Sequence, residues 1–301
     1  MPRAIVNACG KEVWIEGRVL RIAHVDGEKY TVPEDPEAFL RELRGCRERI
    51  DLFTFIQKPP ETEPRYGYPM ERDNLAVLPI TTFDHWWQHQ ITNKVRNAAR
   101  QAEKKGLEVR EVPLDEVLLR GIVEIHNESP VRQGRRFPHY GMDLEGARRY
   151  AGTFPERSFF IAALDGGRPV GFMKLTVDES RNHACVVNIL ALLSERNRAP
   201  TNAMIAQAVK SCAARGLSYL VYEHFTYGRR QTDGLSQFKE SNGFRRMDVP
   251  RYFIPLTGWG KLALALGWHR RWTEFCPEFL ADRYRDLRSR WYAHRYRLSS
   301  G

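Results

Sequence analysis

The stretch from residue 184 to residue 223 restricts the fold more than any other part of this 301-residue chain. Residues 184–193 form an apolar run of strand length, 201–215 carry helical spacing, and 217–223 are strand-like again. A helix between two strands of one sheet brings the chain back alongside the first strand. The pair is then parallel and the crossover right-handed. Just upstream, Asp165-Gly166-Gly167 separates apolar runs at 158–164 and 169–177, which predicts an antiparallel hairpin. One sheet must hold both kinds of pairing, so the class is α/β.

The neighbouring segments extend the pattern. A strand is expected at 107–112, helices at 114–127 and 144–153, a helix at 232–242 ending at Gly243, and strand-like segments over 244–256. Nearer the start, strands are expected at 13–15, 19–25 and 51–56, with a helix at 37–48. KPPETEPRYGYPMERDN carries four prolines and reads as an irregular connection before a strand at 75–80. Residues 83–105 predict one amphipathic helix, with Asp84 near its cap and Trp87, Ile91, Val95, Ala98 and Ala102 along one face. Lys94, Arg96, Arg100, Lys104 and Lys105 occupy its other faces, either as a solvated surface or as an anion-binding one.

This order resembles the acyl-CoA N-acyltransferase fold of the GNAT superfamily. RPVGFMKLTV is similar to its hairpin strand, ACVVNILALL to its cofactor strand and FKESNGF to its last helix, and the resemblance covers residues 107–256. A narrower resemblance, carried by NKVRNAARQAEKKGLEVR and by the Phe-Lys pair before Gly-Phe, is to the Fem-type aminoacyltransferases of peptidoglycan bridge assembly. The fold so implied is α/β (α+β), with a mixed, mostly antiparallel sheet and flanking helices. The expected divisions are an N-terminal segment, 1–82, as a reduced GNAT-like half, a GNAT-like domain at 83–257, and a helical extension at 258–301.

Acyl transfer from a thioester needs a grip on the donor's phosphates, polarisation of a carbonyl and proton management. The phosphate grip belongs where the central strand becomes a helix, because free N–H groups and the helix dipole meet there. Here that place reads SERNRAPTNAM. Arg196 stands at the first position of the GNAT pattern, while Ala199 and Thr201 replace its glycines and Pro200 lacks an N–H. The resemblance therefore assigns the donor, acyl-CoA, to Asn188 and Leu190 of the cofactor strand and to Arg196, Arg198, Thr201 and Asn202. Alternatively, this is a helix start flanked by solvated arginines.

For proton transfer, YLVYEHFTYG at the end of the parallel strand supplies Glu223 and His224 as bases and Tyr222 and Tyr227 as acids or substrate contacts. Each also has a structural reading, as a satisfied histidine or an ion-paired glutamate. Lys239 stands where many GNAT enzymes place a tyrosine that protonates the departing thiolate. It is either a charge-stabilising group or a solvated helix residue.

Net charge is +10, which favours anionic partners. Residues 258–301 hold nine Lys or Arg against four Asp or Glu, a local excess of 9 − 4 = +5. There Leu280, Tyr284, Leu287, Trp291 and Leu298 recur as one stripe, with Arg283, Arg285, Arg288 and Arg290 opposite. This helix either packs back onto the domain or lies in an anionic membrane surface. The five scattered cysteines lack metal-ligand spacing, and the N-terminus lacks a secretory pattern. The chain is thus expected in the cytoplasm or peripherally at the inner membrane face, with no metal. Three activities stand open. They are N-acyl transfer from acyl-CoA to an amine, Fem-type transfer from aminoacyl-tRNA to a cell-envelope or peptide acceptor, and non-catalytic anion binding by a degenerate domain.

Overall fold

Buried residues alternate along β2 (Lys11–Glu16) and β3 (Ile22–Val25), where Val13, Ile15, Ala23 and Val25 point inward as strand geometry dictates. With β1 (Ala4–Ala8) they pack on Phe53 and Phe55 of β4 (Leu52–Ile56) and on Phe39, Leu40 and Leu43 of α1 (Pro36–Gly45). Asp35 caps α1 by accepting from the N–H of Ala38 at 3.0 Å. The computed structural model describes residues 4–27, 31, 33–226, 234–270 and 278–296.

The chain continues through β5 (Met70–Pro79), α2 (Phe83–His85), a wide turn at Trp86–Gln90 and α3 (Asn93–Lys104). Then come β6 (Leu107–Val112), α4 (Glu116–Asn127), a two-residue ladder of β7 (Val131–Arg132) with β8 (Arg135–Arg136), and α5 (Leu144–Ala151). Strands β9 (Ser158–Asp165), β10 (Arg168–Val177) and β11 (His183–Ala191) lead to α6 (Pro200–Ala214) and β12 (Tyr219–His224). α7 (Gly234–Ser241), β13 (Arg245–Pro255), α8 (Gly258–Ala265) and α9 (Glu278–Arg295) complete it.

One sheet of eleven strands runs in the order β1-β2-β3-β4-β13-β5-β12-β11-β10-β9-β6. Neighbours are antiparallel except β3 with β4 and β11 with β12. The hairpin at Asp165-Gly166-Gly167 and the parallel crossover through α6 stand where the sequence puts them. Helices cover both faces of the second half. Gly171 lies against Met204 of α6, and the next residue, Phe172, lies against His126 of α4. Successive side chains point to opposite faces, so these helices flank the sheet.

Several segments depart from expectation for tertiary reasons. The single helix predicted over 83–105 is broken. Its cap is Thr82 rather than Asp84, and Thr92 caps a fresh helix after Ile91 turns extended. The break lies where the indole N–H of Trp86 reaches the carbonyl of Asn242 at 3.0 Å and Thr92 N–H reaches that of Ser241 at 3.2 Å. β5 starts at Met70, inside the stretch read as irregular, because β13 pairs along it from Tyr252↔Met70 to Arg245↔Val77. β1 was not expected, and β3 begins at Ile22 because Val19 is exposed. In α9, Tyr284, Leu287 and Trp291 are about half exposed, so these members of the apolar stripe are not packed into the domain. Ser289 of the same helix sits against Gly134, between β7 and β8. Among the described residues no helix is long and apolar enough to cross a membrane.

Candidate active site

A slot opens where β11 and β12 part. Their parallel ladder lasts for His183↔Tyr219, Ala184↔Leu220 and Cys185↔Val221 only. Beyond that point β11 stays with β10 as far as Ala191, while β12 stays with β5. The β12–β5 register shifts between Val221 and His224, and Glu223 takes a positive φ of 41°. Such a bulge re-aims side chains and stores strain in a residue with a Cβ. Asn188 and Leu190 lie on one side of the slot, and Tyr222, Glu223 and His224 on the other.

His224 is held from behind. Its Nδ1 lies 2.9 Å from Asp73 Oδ1 in β5, and Arg251 of β13 donates to the other Asp73 oxygen at 2.8 Å. Burial would raise the Asp73 carboxyl, but the hydrogen bond from His224 and the charge of Arg251 outweigh it and hold the group well below the usual carboxylate range. With Nδ1–H turned to Asp73, the lone pair of a neutral imidazole sits on Nε2. That arrangement suits a general base.

Lys239 is fully buried, which removes the reading of a solvated helix residue. Its helix stops at Gly243, whose φ is 89°, and the N–H of Phe244 closes back on the Lys239 carbonyl at 3.0 Å. The side chain then runs inward to the sheet. Its ammonium donates to the main-chain carbonyl of His224 and lies 4.6 Å from the centre of the Tyr222 ring.

Opposite stand Asn188 and Tyr150. The Asn188 amide donates to the Tyr150 hydroxyl, which is half-buried at the end of α5. Burial, and next the negative charge of Glu223, push the phenols of Tyr150 and Tyr222 up to about 12. Both therefore stay protonated and able to donate at neutral pH.

The stretch SERNRAPTNAM, the loop expected to hold the donor, makes several bonds within the protein. Glu128 accepts hydrogen bonds from the N–H groups of Leu193 and Ser194 at 2.5 and 2.9 Å, and from the Ser194 hydroxyl at 3.0 Å. Arg198 is committed to Asp165 and Glu195, each at 3.0 Å, and to the carbonyl of Lys105 at 2.7 Å. Asn202 donates to the side chain of Asn242 at 3.4 Å. Ala199 has a φ of 54°, and α6 opens on Pro200, ahead of Thr201. Carboxylates of the protein thus hold the N–H groups of Leu193 and Ser194 and the Arg198 guanidinium. Arg196 is exposed, and Leu190 packs against the core.

Of the residues singled out in the sequence, Lys239 bonds the His224 main chain, and Asn188 bonds Tyr150, where the charge of Glu223 is felt. Arg198 and Asn202 are held by protein groups, and Tyr227 lies outside the described residues. Sequence reasoning missed Asp73, Arg251 and Tyr150. The four cysteines of the described residues form no disulfide, and no group of three His, Cys, Asp or Glu there is arranged to hold a metal ion.

No protein-family model matches this sequence, and no curated protein sequence does. Solved structures do match. A C-terminal domain assigned to a lysylphosphatidylglycerol synthetase of Agrobacterium fabrum superposes with a TM-score of 0.56 at 14% identity, covering 87% of each chain. L-PGS from Bacillus licheniformis gives 0.55 at 14% identity over 89% of each chain. FemX gives 0.55 at 10% identity over 82% of this chain and 86% of its own. At such identities the likeness is one of fold. The fold is GNAT-like with Fem-type features, as the sequence resemblance implied.

Proposed function

We propose that this chain is an acyltransferase that moves an aminoacyl group from aminoacyl-tRNA to an amine or hydroxyl acceptor at a membrane surface. The donor loop supports this reading. Its N–H groups are held by Glu128 and its Arg198 by Asp165 and Glu195, which disfavours a compact diphosphate such as that of CoA. The loop's surroundings are nevertheless cationic. The Lys105 ammonium bonds the Asn197 carbonyl at 2.7 Å, so the end of α3 adjoins the loop, and Lys94, Arg100, Lys104 and Arg196 are exposed. A stripe of exposed cations beside a closed loop suits a polyanionic backbone. The similar structures named for lysylphosphatidylglycerol synthetase and FemX agree with an aminoacyl donor.

In this mechanism His224 Nε2 takes the proton of the attacking amine or hydroxyl, and Asp73 stabilises the imidazolium. The nucleophile bonds to the ester carbonyl carbon, and the carbon–oxygen bond to the ribose breaks. The proton then passes from His224 to the departing ribose oxygen. Lys239 fixes the His224 main chain and places positive charge under the slot where the oxyanion develops. Residues 83–257 form the catalytic unit on this reading, while the segment 1–82 contributes Asp73.

The extension 258–301 supplies the membrane contact. Leu262, Leu266 and Trp268 at α8, with Tyr284, Leu287 and Trp291 on α9, are exposed apolar groups among Arg283, Arg288, Arg290 and Arg295. Aromatic and basic side chains together suit the interface of an anionic bilayer at the cytoplasmic face.

The test is transfer of radiolabelled amino acid from a charged tRNA pool into an extract of cell-envelope lipids and amines. Label should appear in an acceptor and vanish with Lys239→Met. Label transfer from acyl-CoA alone would select the second reading, N-acyl transfer from CoA, which exposed Arg196 favours.

A further inference from the structure

His224 supplies the slot with a base and Lys239 with positive charge. A donor aimed at the carbonyl oxygen is the remaining need of acyl transfer. Asn188 stands three residues beyond Cys185, whose pairing with Val221 is the last rung between β11 and β12, and His224 stands three beyond Val221. The two are therefore level across the slot. They also share a face of the sheet, because directly paired residues of antiparallel strands point to the same side. Asn188 is opposite Lys174, whose ammonium reaches the carbonyl and hydroxyl of Thr153, just past α5, at 2.7 and 2.6 Å. His224 is opposite Leu75, a member of the buried cluster on which Phe154, the next residue after Thr153, packs. Both thus point to the side where α5 ends.

On that side α5 presents Tyr150, whose oxygen accepts from the Asn188 amide. A phenol that accepts one hydrogen bond still has its own hydrogen to give, and among the described residues nothing accepts it. The ring is held in place by its neighbours. His126 stands nearly perpendicular to it with centroids 5.4 Å apart, and His139 lies at 4.6 Å. The helix is fixed at both ends, by Asp143, which accepts from the N–H of Gly146 at 2.7 Å, and by Lys174 at Thr153. The half-buried hydroxyl thus has one position, on the slot's wall. Burial pushes the phenol up to about 12, so it keeps its proton. A neutral donor fixed in advance needs no reorganisation when charge appears beside it.

We infer that Tyr150 is a further catalytic residue, whose hydroxyl donates to the carbonyl oxygen of the acyl group as that oxygen becomes an oxyanion, with Asn188 positioning the phenol. The inference rests on the acyl-transfer reading above, though not on the body of the donor, since an aminoacyl ester and a thioester both carry the carbonyl. His224 then acts on the nucleophile and Tyr150 on the oxygen, from opposite walls of the slot. As the nucleophile bonds to the carbon, the second electron pair of the carbonyl moves onto its oxygen and meets the Tyr150 hydrogen. When the leaving group departs, that pair returns and the hydrogen bond weakens again. The proton stays on Tyr150 throughout.

The test is single-turnover transfer by the full chain from aminoacyl-tRNA, or from acyl-CoA if the wild type uses that, with donor affinity measured separately. Tyr150→Phe keeps the ring and should slow transfer roughly 100-fold while donor affinity is unchanged. Asn188→Ala should slow it in the same sense by roughly tenfold, the scale of one misplaced hydrogen bond. The second readout replaces Tyr150 with fluorotyrosines, which keep ring and hydroxyl but make the phenol more acidic. Above its lowered value the phenol has no hydrogen to donate. The fluorinated proteins should therefore show an alkaline fall in transfer that the wild type lacks over the same range, and it should begin at lower pH with each added fluorine. If Tyr150→Phe does not fold, the fluorinated series decides alone. Wild-type rates for Tyr150→Phe would overturn the inference and leave the proposed function standing. So would a slow Tyr150→Phe with no fluorine-dependent fall, which would make the tyrosine structural. Absence of transfer by the wild type from any acyl donor would instead overturn the proposed function, and the role of Tyr150 with it.

Discussion

The buried ammonium of Lys239 donates to the main-chain carbonyl of His224, fifteen residues earlier in the chain. The contact ties the last helix of the second half to the strand bulge that aims Glu223 and His224. Lys239→Met removes both the bond and the charge. Transfer should slow roughly 100-fold in single-turnover assays, on the scale of losing one oxyanion donor. Stability should fall by about 2 kcal/mol, the cost of losing a hydrogen bond to a charged group. Lys239→Arg should restore little, since a planar guanidinium does not fit a site shaped for an ammonium. Near-wild-type turnover in both variants would leave Lys239 as a packing residue only.

Asp73→Asn should uncouple His224 from its support. A carboxyl whose folded-state value is depressed contributes stability that is present above its unfolded value, about 3.9, and is lost as pH falls through the folded one. The wild type should therefore exceed the variant by roughly 3 kcal/mol at neutral pH, the scale for breaking a buried pair. That gap should close as the pH is taken below about 4. Denaturant melts at a series of pH values read this directly, and a gap independent of pH would mean that the pair is not formed.

Lys174, in β10, is buried and donates to the carbonyl and hydroxyl of Thr153 at 2.7 and 2.6 Å. Burial pulls its ammonium down to about 8, against a small opposing effect of Asp26. A lysine depressed in the folded state binds fewer protons there than when unfolded, so stability should rise between pH 8 and about 10.4. Lys174→Met should abolish that rise. An unchanged alkaline slope in the variant would assign the rise to another group.

CoA and acetyl-CoA should not raise the melting temperature, because the donor loop is held by Glu128, Asp165 and Glu195. Arg198→Ala should lower the melting temperature without altering any response to CoA. Stabilisation by CoA that disappears with Arg198→Ala would restore the acyl-CoA reading.

Flotation with vesicles rich in anionic phospholipid should carry the full chain and leave behind one that lacks residues 258–301. Replacing Trp291 and Leu287 with serine should weaken recovery, and salt should weaken it further. Equal recovery of all forms would place the membrane contact elsewhere.

What was legible in the sequence was local. The hairpin at Asp165-Gly166-Gly167 and the crossover through α6 are each written within one continuous stretch. Asn188 and Lys239 stood out as polar residues in apolar surroundings, and each makes a polar bond within the fold, to Tyr150 and to the His224 carbonyl. Lys174 gives the same signal inside RPVGFMKLTV, yet it passed as part of a hairpin strand. Asp73 gave no signal at all. It lies within the stretch that reads as an irregular connection, and its partner Arg251 is 178 residues away in sequence. The break in the 83–105 helix was equally hidden, because the Trp86 contact that accompanies it is with Asn242, 156 residues on.

Strand β13 lies between β4 and β5, pairing with both, although it is the last of the described strands. A nascent polypeptide therefore carries β4 and β5 with nothing to join them until residue 255 has cleared the ribosome. Until then each presents unsatisfied main-chain groups, which invite pairing with other chains. Because β13 also carries Arg251, Asp73, the carboxylate beside His224, gains its second partner only when synthesis of the sheet is complete.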